Sequence, residues 1–408
     1  MRVHVFAPVA GGPLTQYVAY LLPTLLHLVD EARVESVTVT LSRAHYESEF
    51  FGEYLAPFAS LVSFDVIDLP LGNRFAATIA MSQALLSAIA RVRSDYVISV
   101  YADYGASILA LRCCVPGLGA ALERVDSIGI VHHGQTGLAH GWRDRMRNRI
   151  HGLTRRLSPW SETFVVNPML FEAIEGQGSH ARGTHRLLPH PVEPPRAMDR
   201  RAARAALGIP QDGRYLAFVG RTDGRKAIPE LLAAFRTADL AADDRLLIAG
   251  LLYEPHRTLM RSAFGDLLLN GRIVSIDRHL SSDDVGLAFS AADVVAVTYY
   301  PMDDFSANLI SAVAAGRPVL ANDHGYCKRM IADFELGWSC DVRNHVMFAE
   351  TIRHAMSASD SFPILEKTRR LLEFHRPENY TETVLSRLKR LLGIETEDVR
   401  SWDWVSSL

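Results

Sequence analysis

The sequence predicts an α/β protein made of two Rossmann-like, doubly wound domains facing a cleft. Three observations predict it. Short apolar runs alternate with helical patterns along most of the 408 residues, the order that builds mostly parallel sheets. The alternation breaks at the proline-rich stretch 187–195, L-L-P-H-P-V-E-P-P, and restarts beyond it. The stretch 303–320, D-D-F-S-A-N-L-I-S-A-V-A-A-G-R-P-V-L, spells turn, helix, turn and strand in one pass.

That last stretch follows an apolar strand at Val294 to Val297. Asp303, Asp304 and Ser306 are helix-start residues. Asn308 to Ala315 is a compact helix, Gly316 caps it, and Arg317-Pro318 stops it before the next strand opens at Val319. A helix N-terminus at the carboxyl end of a strand attracts phosphates through its free N–H groups and dipole. A plain crossover in a parallel sheet reads the same way.

Composition bounds the function class. The chain is long enough for two domains. It is 48% hydrophobic and 22% charged, with a formal net charge of -3, so nothing points to nucleic acid as a partner. The four cysteines (Cys113, Cys114, Cys327, Cys340) show no C-x-x-C spacing, which predicts buried thiols in a reducing cytoplasm. The N-terminus reads as a strand and not as a signal peptide. No stretch approaches the about 20 apolar residues of a membrane span. Ala106 to Leu122 comes nearest, and Arg112, Pro116 and Gly117 interrupt it.

In the first half, Val3 to Ala7 is a strand. Gly11 and Gly12 make a turn, which can bring backbone close to a ligand or simply reverse the chain, and Leu14 to Leu28 is a helix. Val34 to Leu41, Val62 to Asp68, Tyr96 to Val100 and Ser127 to Val131 are further strands. Glu47 to Phe58, Ala76 to Val92 and Ser107 to Cys114 lie between them as helices. The strand at Ser127 runs into His132-His133-Gly134. One histidine of the pair faces the ligand side because strand side chains alternate, unless both are ordinary hydrogen-bonded surface residues. Between His140 and Arg156, six arginines (143, 145, 147, 149, 155 and 156) oppose only Asp144, with Met146, Ile150, Leu153 and Leu157 at helical spacing. The Arg143 to Arg156 region fits a basic helix in peripheral contact with an anionic membrane or a phosphorylated acceptor, and equally a surface helix with a solvated face. Thr163 to Val166 is a strand and Pro168 to Glu175 a helix. The prolines then set the boundary: 1–191 is the first domain, 192–376 the second, and 377–408 a helix and tail packing back on the first.

In the second half, Arg200 to Leu207 is a helix and Tyr215 to Val219 a strand entering the loop Gly220-Arg221-Thr222-Asp223-Gly224-Arg225-Lys226. Pro229 to Phe235 and Asp283 to Ser290 are helices. Arg245 to Ala249, Arg272 to Ile276, Asp293 to Val297 and Gly337 to Cys340 are strands. Met347 to Met356, Ile364 to Phe374 and Asn379 to Leu392 are the last helices, and an acidic tail carries Trp402 and Trp404. Arg221 offers a planar fork and Lys226 a point charge, together enough to neutralise a diphosphate. The helix start at Ser306 to Leu309 ends a strand of the same sheet, so both elements can serve one diphosphate.

These motifs resemble the large retaining glycosyltransferase family 4, of GT-B fold. The resemblance is strongest from Arg214 to Asp341. Gly220, Arg221 and Lys226 match the family's G-R-x-x-x-x-K, with Ala227 where a glycine often follows. Phe305, Ala312, Ala314, Gly316, Pro318 and Val319 match its E-x-F-G-x-x-x-x-E-A-x-A-x-G-x-P-V. Asp303 replaces the first glutamate, Ser306 the glycine and Ser311 the ribose-clamping second glutamate. A later carboxylate position holds Lys328.

The resemblance implies a metal-independent, cofactor-free sugar transfer from a UDP- or GDP-linked donor to a glycan, lipid-linked or other glycoconjugate acceptor, in the cytoplasm or on the inner membrane face. Arg221, Lys226, Asp303 and His133 would form the catalytic set, with Asp303 orienting the sugar hydroxyls and His133 the better match to a cleft histidine. Gly11, Gly12, Gly250, Arg278, Phe305, Ser306, Ala307, Asn308 and Ser311 would line the donor, with the base near Gly250 and Ile276 to His279. Loss of both glutamates supports a rival: a non-catalytic GT-B-fold partner or acceptor-binding subunit.

Overall fold

The computed structural model describes every residue except 70–73, 104–105, 114, 116, 118, 133–157, 176–183, 195–197, 301–304, 397–398 and 408. The chain forms two compact units, Met1–Pro191 with Pro377–Ser401, and Val192–Arg376 with Trp402–Leu408.

Among the described residues, unit 1 holds a seven-stranded sheet in the order β3-β2-β1-β4-β5-β6-β7, parallel throughout. The strands are β1 (Arg2–Phe6), β2 (Ser36–Ser42), β3 (Ser63–Ile67), β4 (Tyr96–Ser99), β5 (Asp126–Val131), β6 (Glu162–Val165) and β7 (Thr184–Leu187). Helices cover the sheet, so the central strands read as near-continuous apolar runs. Helix Gly12–Asp30 buries Val18, Leu21, Leu22, Leu25 and Leu28, one apolar stripe at helical spacing. Phe6 packs with Leu85, Leu86, Ile89, Val97, Leu109 and Trp160 in one apolar cluster.

One local expectation fails here, and one strand was not foreseen. Glu47 to Phe58 is not one helix. A turn of helix at Arg43–Tyr46, a π turn at Phe51–Leu55 and a 3-10 turn at Ala56–Phe58 take its place. Gly52 weakens the middle of that run, and Pro57 removes a backbone donor. Strand β7 has the sequence T-H-R-L at the sheet edge, and so lacks the apolar run that marks the others.

Helix Pro377–Leu391 belongs to unit 1. It buries Tyr380, Val384, Leu385 and Leu388, and Arg387 grips Asp126 through two hydrogen bonds of 2.6 and 2.9 Å. The tail divides from it. Helix Trp402–Ser406 joins unit 2, where Trp402 stacks edge-on against Phe334 at 5.8 Å and Phe374 at 5.4 Å. The expectation that 377–408 packs on the first domain as one piece is therefore corrected for its end, because Trp402 finds aromatic partners in unit 2.

Unit 2 holds a six-stranded parallel sheet in the order β10-β9-β8-β11-β12-β13. Its strands are β8 (Tyr215–Val219), β9 (Arg245–Ala249), β10 (Ile273–Ile276), β11 (Val294–Val297), β12 (Val319–Asn322) and β13 (Gly337–Cys340). Strand order reverses between β8 and β11, the topological switch point where open α/β sheets bind ligands. The amino ends of the same two strands are locked by a buried ion pair. Arg204 bonds Asp293 at 2.7 Å, Asp293 also accepts the Tyr215 N–H at 2.7 Å, and the guanidinium lies 4.6 Å from the Tyr215 ring centroid.

Among the described residues no helix is long and apolar enough to cross a membrane. Cys327 and Cys340 are buried free thiols, and Cys113 is half-buried.

Candidate functional site

The site is built at the carboxyl ends of β8, β9 and β11. Gly220 follows β8 with φ +113, Gly250 follows β9 with φ +133, and a Cβ on Gly250 would come 2.3 Å from the Gly220 carbonyl oxygen. Only glycine allows this approach. The loop after Gly220 is pinned on both sides. Thr222 N–H donates to Leu251 O (3.1 Å), and Tyr253 N–H donates to Thr222 Oγ1 (2.7 Å). From the other side Tyr300 N–H donates to Arg225 O (2.8 Å), and Thr298 Oγ1 donates to Lys226 O (3.4 Å). Ala227 closes the loop in the left-handed region, φ 45 and ψ 38, at the start of helix Ile228–Thr237. This is where the resemblance expects glycine, and the alanine adopts the same conformation.

The loop's charges are unevenly spent. Arg225 is neutralised by Asp223 at 2.9 Å. Arg221 is exposed and, among the described residues, pairs with no carboxylate. Lys226 is half-buried with Nζ 3.4 Å from the Tyr299 ring centroid. Desolvation lowers its pKa to about 8, and the nearby Asp223 charge opposes the shift. Elsewhere in the unit arginines are matched, as in Arg214–Asp244, Arg257–Asp277 and Arg278–Asp284. Two unneutralised cations at the mouth of a switch point favour an anion.

Helix Ala307–Ala314 supplies the opposing wall. Its first N–H groups have no acceptor within the helix, and its first turn carries no acidic residue to satisfy the dipole. Asn308 Nδ2 donates to Val219 O at 2.7 Å and to the Tyr299 hydroxyl at 3.1 Å. This ties the helix start to the end of β8, beside the cationic loop. Phe305 packs against Tyr326 at 5.1 Å and His375 at 5.9 Å. Ser306 is 3% exposed, and Ser311 is half-buried on the same helix.

Arg221, Lys226, Gly250, Phe305, Ser306, Ala307, Asn308 and Ser311 thus all belong to unit 2, on these strand ends and this helix. Arg278 also follows a strand of this sheet, but its guanidinium is held by Asp284 at 2.5 and 2.9 Å, inside the capping box of helix Ser282–Ala291. Asp303, His133 and the Arg143 to Arg156 region lie outside the described residues.

In unit 1, Gly11 and Gly12 sit between β1 and helix Gly12–Asp30, and a Cβ on Gly12 would meet the Phe50 ring at 3.3 Å. His132 bonds Val100 O through Nε2 at 2.8 Å, and its N–H donates to Asp103 at 2.9 Å. Its ring stacks on Tyr17 at 5.1 Å, and the Tyr17 hydroxyl meets His190 Nδ1 at 2.6 Å. Sequence reasoning missed Tyr17 and His190, the latter because it sits in what reads as a linker. It also missed Tyr299, whose one signal is the aromatic pair 299–300 just beyond an apolar strand.

Known proteins share parts of this sequence and its fold. Residues 199–371 match the family model described as Glycosyl transferases group 1. A D-inositol 3-phosphate glycosyltransferase of Mycobacterium leprae is 29% identical over 211 residues, 48% of this chain and 46% of that protein. The chain spans about half the length of the curated relatives it matches. Sucrose-phosphate synthase from Thermosynechococcus elongatus superposes with a TM-score of 0.69 at 17% identity, covering 96% of this chain and 99% of that one. Anabaena HepE, solved with UDP and glucose, gives a TM-score of 0.64 at 13% identity, covering 96% and 100%. At these identities the two structures speak to the fold.

Proposed function

Starting from a chain of GT-B fold whose residues 199–371 match the glycosyl transferases group 1 model, we propose that it transfers a sugar from a UDP- or GDP-linked donor to a glycan or glycoconjugate acceptor, with retention and without a metal. One observation carries the reading: Arg221 and Lys226, which pair with no carboxylate among the described residues, share the switch point with the N-terminus of helix Ala307–Ala314. The HepE structure holding UDP and glucose supports the donor class.

As the glycosidic bond breaks, negative charge grows on the leaving diphosphate. In this reading Lys226, over the Tyr299 ring, and the amides of Ser306 to Asn308 are held ready for that charge and exposed Arg221 reaches it, so together they favour the transition state over the ground state. The loop's anchorage to the segments that follow β9 and β11 keeps its own reorganisation small. By resemblance Asp303 orients the donor sugar's hydroxyls, and His133 completes the catalytic set. The Arg143 to Arg156 run fits an acceptor presented at an anionic membrane surface, which vesicle flotation with and without anionic lipid tests.

The rival reading, a non-catalytic binding subunit, draws on Ser311 and Lys328 standing where the resemblance expects carboxylates. Donor hydrolysis and transfer assays across UDP- and GDP-sugars separate the two. Turnover that is lost in Arg221→Ala supports the enzyme. Tight donor binding with no turnover on any acceptor supports the rival.

A further inference from the structure

The wall beside Lys226 holds a hydroxyl with nothing to do. Ser306 Oγ belongs to a residue 3% exposed, and among the described residues it makes no hydrogen bond of strict geometry. It caps the eight-residue helix Ala307–Ala314 in position only, because its side chain accepts no N–H from the first turn. Its neighbour is the Tyr299 phenol, 6% exposed, whose oxygen accepts from Asn308 Nδ2 at 3.1 Å. The Ser306 hydroxyl lies close enough to that phenol to act on it as a hydrogen-bonding group, though outside strict hydrogen-bond geometry. Two hydroxyls carry two O–H donors. Even if each leaned on the other, one O–H would stay unspent among the described residues. Buried polar groups are almost always paired, and an orphan calls for an explanation. Here the orphan is a donor, set at a helix N-terminus and beside the Tyr299 phenol, whose ring carries an ammonium that pairs with no carboxylate among the described residues. The partner that completes all three is an anionic oxygen.

We propose that the Ser306 hydroxyl is a ligand-binding donor whose acceptor is a phosphate oxygen of the substrate, shared with Lys226 and the helix N-terminus. The inference rests on the reading of this site as a diphosphate site. It makes Ser306, where the resemblance expects glycine, a positioning residue that adds a side-chain donor to the Lys226 charge and the backbone N–H groups of the helix start.

The test uses the full chain, calorimetric titration with UDP, GDP and inorganic pyrophosphate, and thermal melts without ligand. In Ser306→Ala the affinity for nucleoside diphosphate and pyrophosphate falls about tenfold. The ligand-free melting temperature stays level or rises, since an unpaired buried hydroxyl has been removed. Ser306→Gly serves if the alanine variant does not fold. Unchanged affinity in the variant overturns the proposal, as does a lower ligand-free melting temperature, which marks the hydroxyl as structural. If wild type binds UDP or GDP and the variant binds as well, only this inference falls. If wild type binds pyrophosphate and no nucleoside diphosphate, the functional reading falls and the pyrophosphate arm decides this one. If wild type binds none of them, both fall.

Discussion

The ammonium of Lys226 sits 3.4 Å from the centroid of the Tyr299 ring, and no carboxylate among the described residues closes a salt bridge to it. Desolvation makes its proton easier to lose, with a pKa of about 8 against the usual 10.5. Below pH 8 the group is charged and attracts phosphate, and above it the charge goes. Diphosphate affinity should therefore fall between pH 7 and pH 9, and Lys226→Gln should bind weakly and flatly over that range. Near pH 8 binding should take up a proton, seen as an enthalpy that varies with the buffer. Folding shows the opposite trend. Between about 8 and 10.5 the unfolded lysine keeps its proton and the folded one does not, so this group's contribution to stability rises with pH. A titration series with constant affinity from pH 7 to 9 contradicts the assignment.

Gly250 and Gly220 touch through backbone, and a Cβ at 2.3 Å has no flexible side chain to push aside. Gly250 also sits at φ +133, which side-chain-bearing residues rarely adopt. We expect Gly250→Ala to cost about 3 kcal/mol or more, combining overpacking with backbone strain. Urea unfolding measures it, and a cost below about 1 kcal/mol would show that the strand ends can move apart.

Asp293 is 2% exposed and serves Arg204 and the Tyr215 N–H, with Arg200 2.8 Å away. Asp293→Ala leaves the buried Arg204 guanidinium without its carboxylate. Breaking a buried pair from one side costs about 3–5 kcal/mol, so this change should destabilise unit 2 by that amount. The double change Arg204→Met with Asp293→Ala should cost less than the sum of the two singles.

His4 is fully buried in β1, between Thr40 at 2.8 Å and Ser94 at 3.1 Å. Burial lowers its pKa to about 4, with the Asp65 charge opposing. Between pH 6.5 and 4 the unfolded chain binds a proton at His4 that the folded chain refuses. Stability is therefore lost progressively as pH falls through that window. Imidazole NMR should show His4 neutral down to about pH 5, and titration near pH 6.5 would contradict the buried placement.

Much of the architecture was legible because parallel strands covered on both faces leave continuous apolar runs, as in Y-L-A-F-V of β8 and V-V-A-V of β11. Strand β7 was not legible, because an edge strand needs no such run. Helix Glu254–Ala263 was missed because it buries only His256 and Met260. The cations of the loop were legible from spacing alone. Their environment was not: the ring under Lys226, the tie from Asn308 to Val219 and the Tyr17–His190 contact join residues 73, 89 and 173 positions apart. Local sequence carries no trace of such pairs. Ala227 shows a different limit. It departs from the family motif on paper, yet keeps the left-handed backbone that the motif's glycine would take.

The most direct test of the central claim is a thermal shift of wild type and Arg221→Ala with UDP and GDP. Arg221 is exposed and unpaired among the described residues, so its removal should leave the ligand-free protein intact. A ligand at about a hundred times its dissociation constant stabilises by roughly 2.7 kcal/mol, and losing a charged hydrogen bond worth about 1.5–3 kcal/mol would remove most of that shift. The account predicts a clear shift with at least one diphosphate in wild type and little or none in the variant. No shift in wild type, or an equal shift in both, would contradict it.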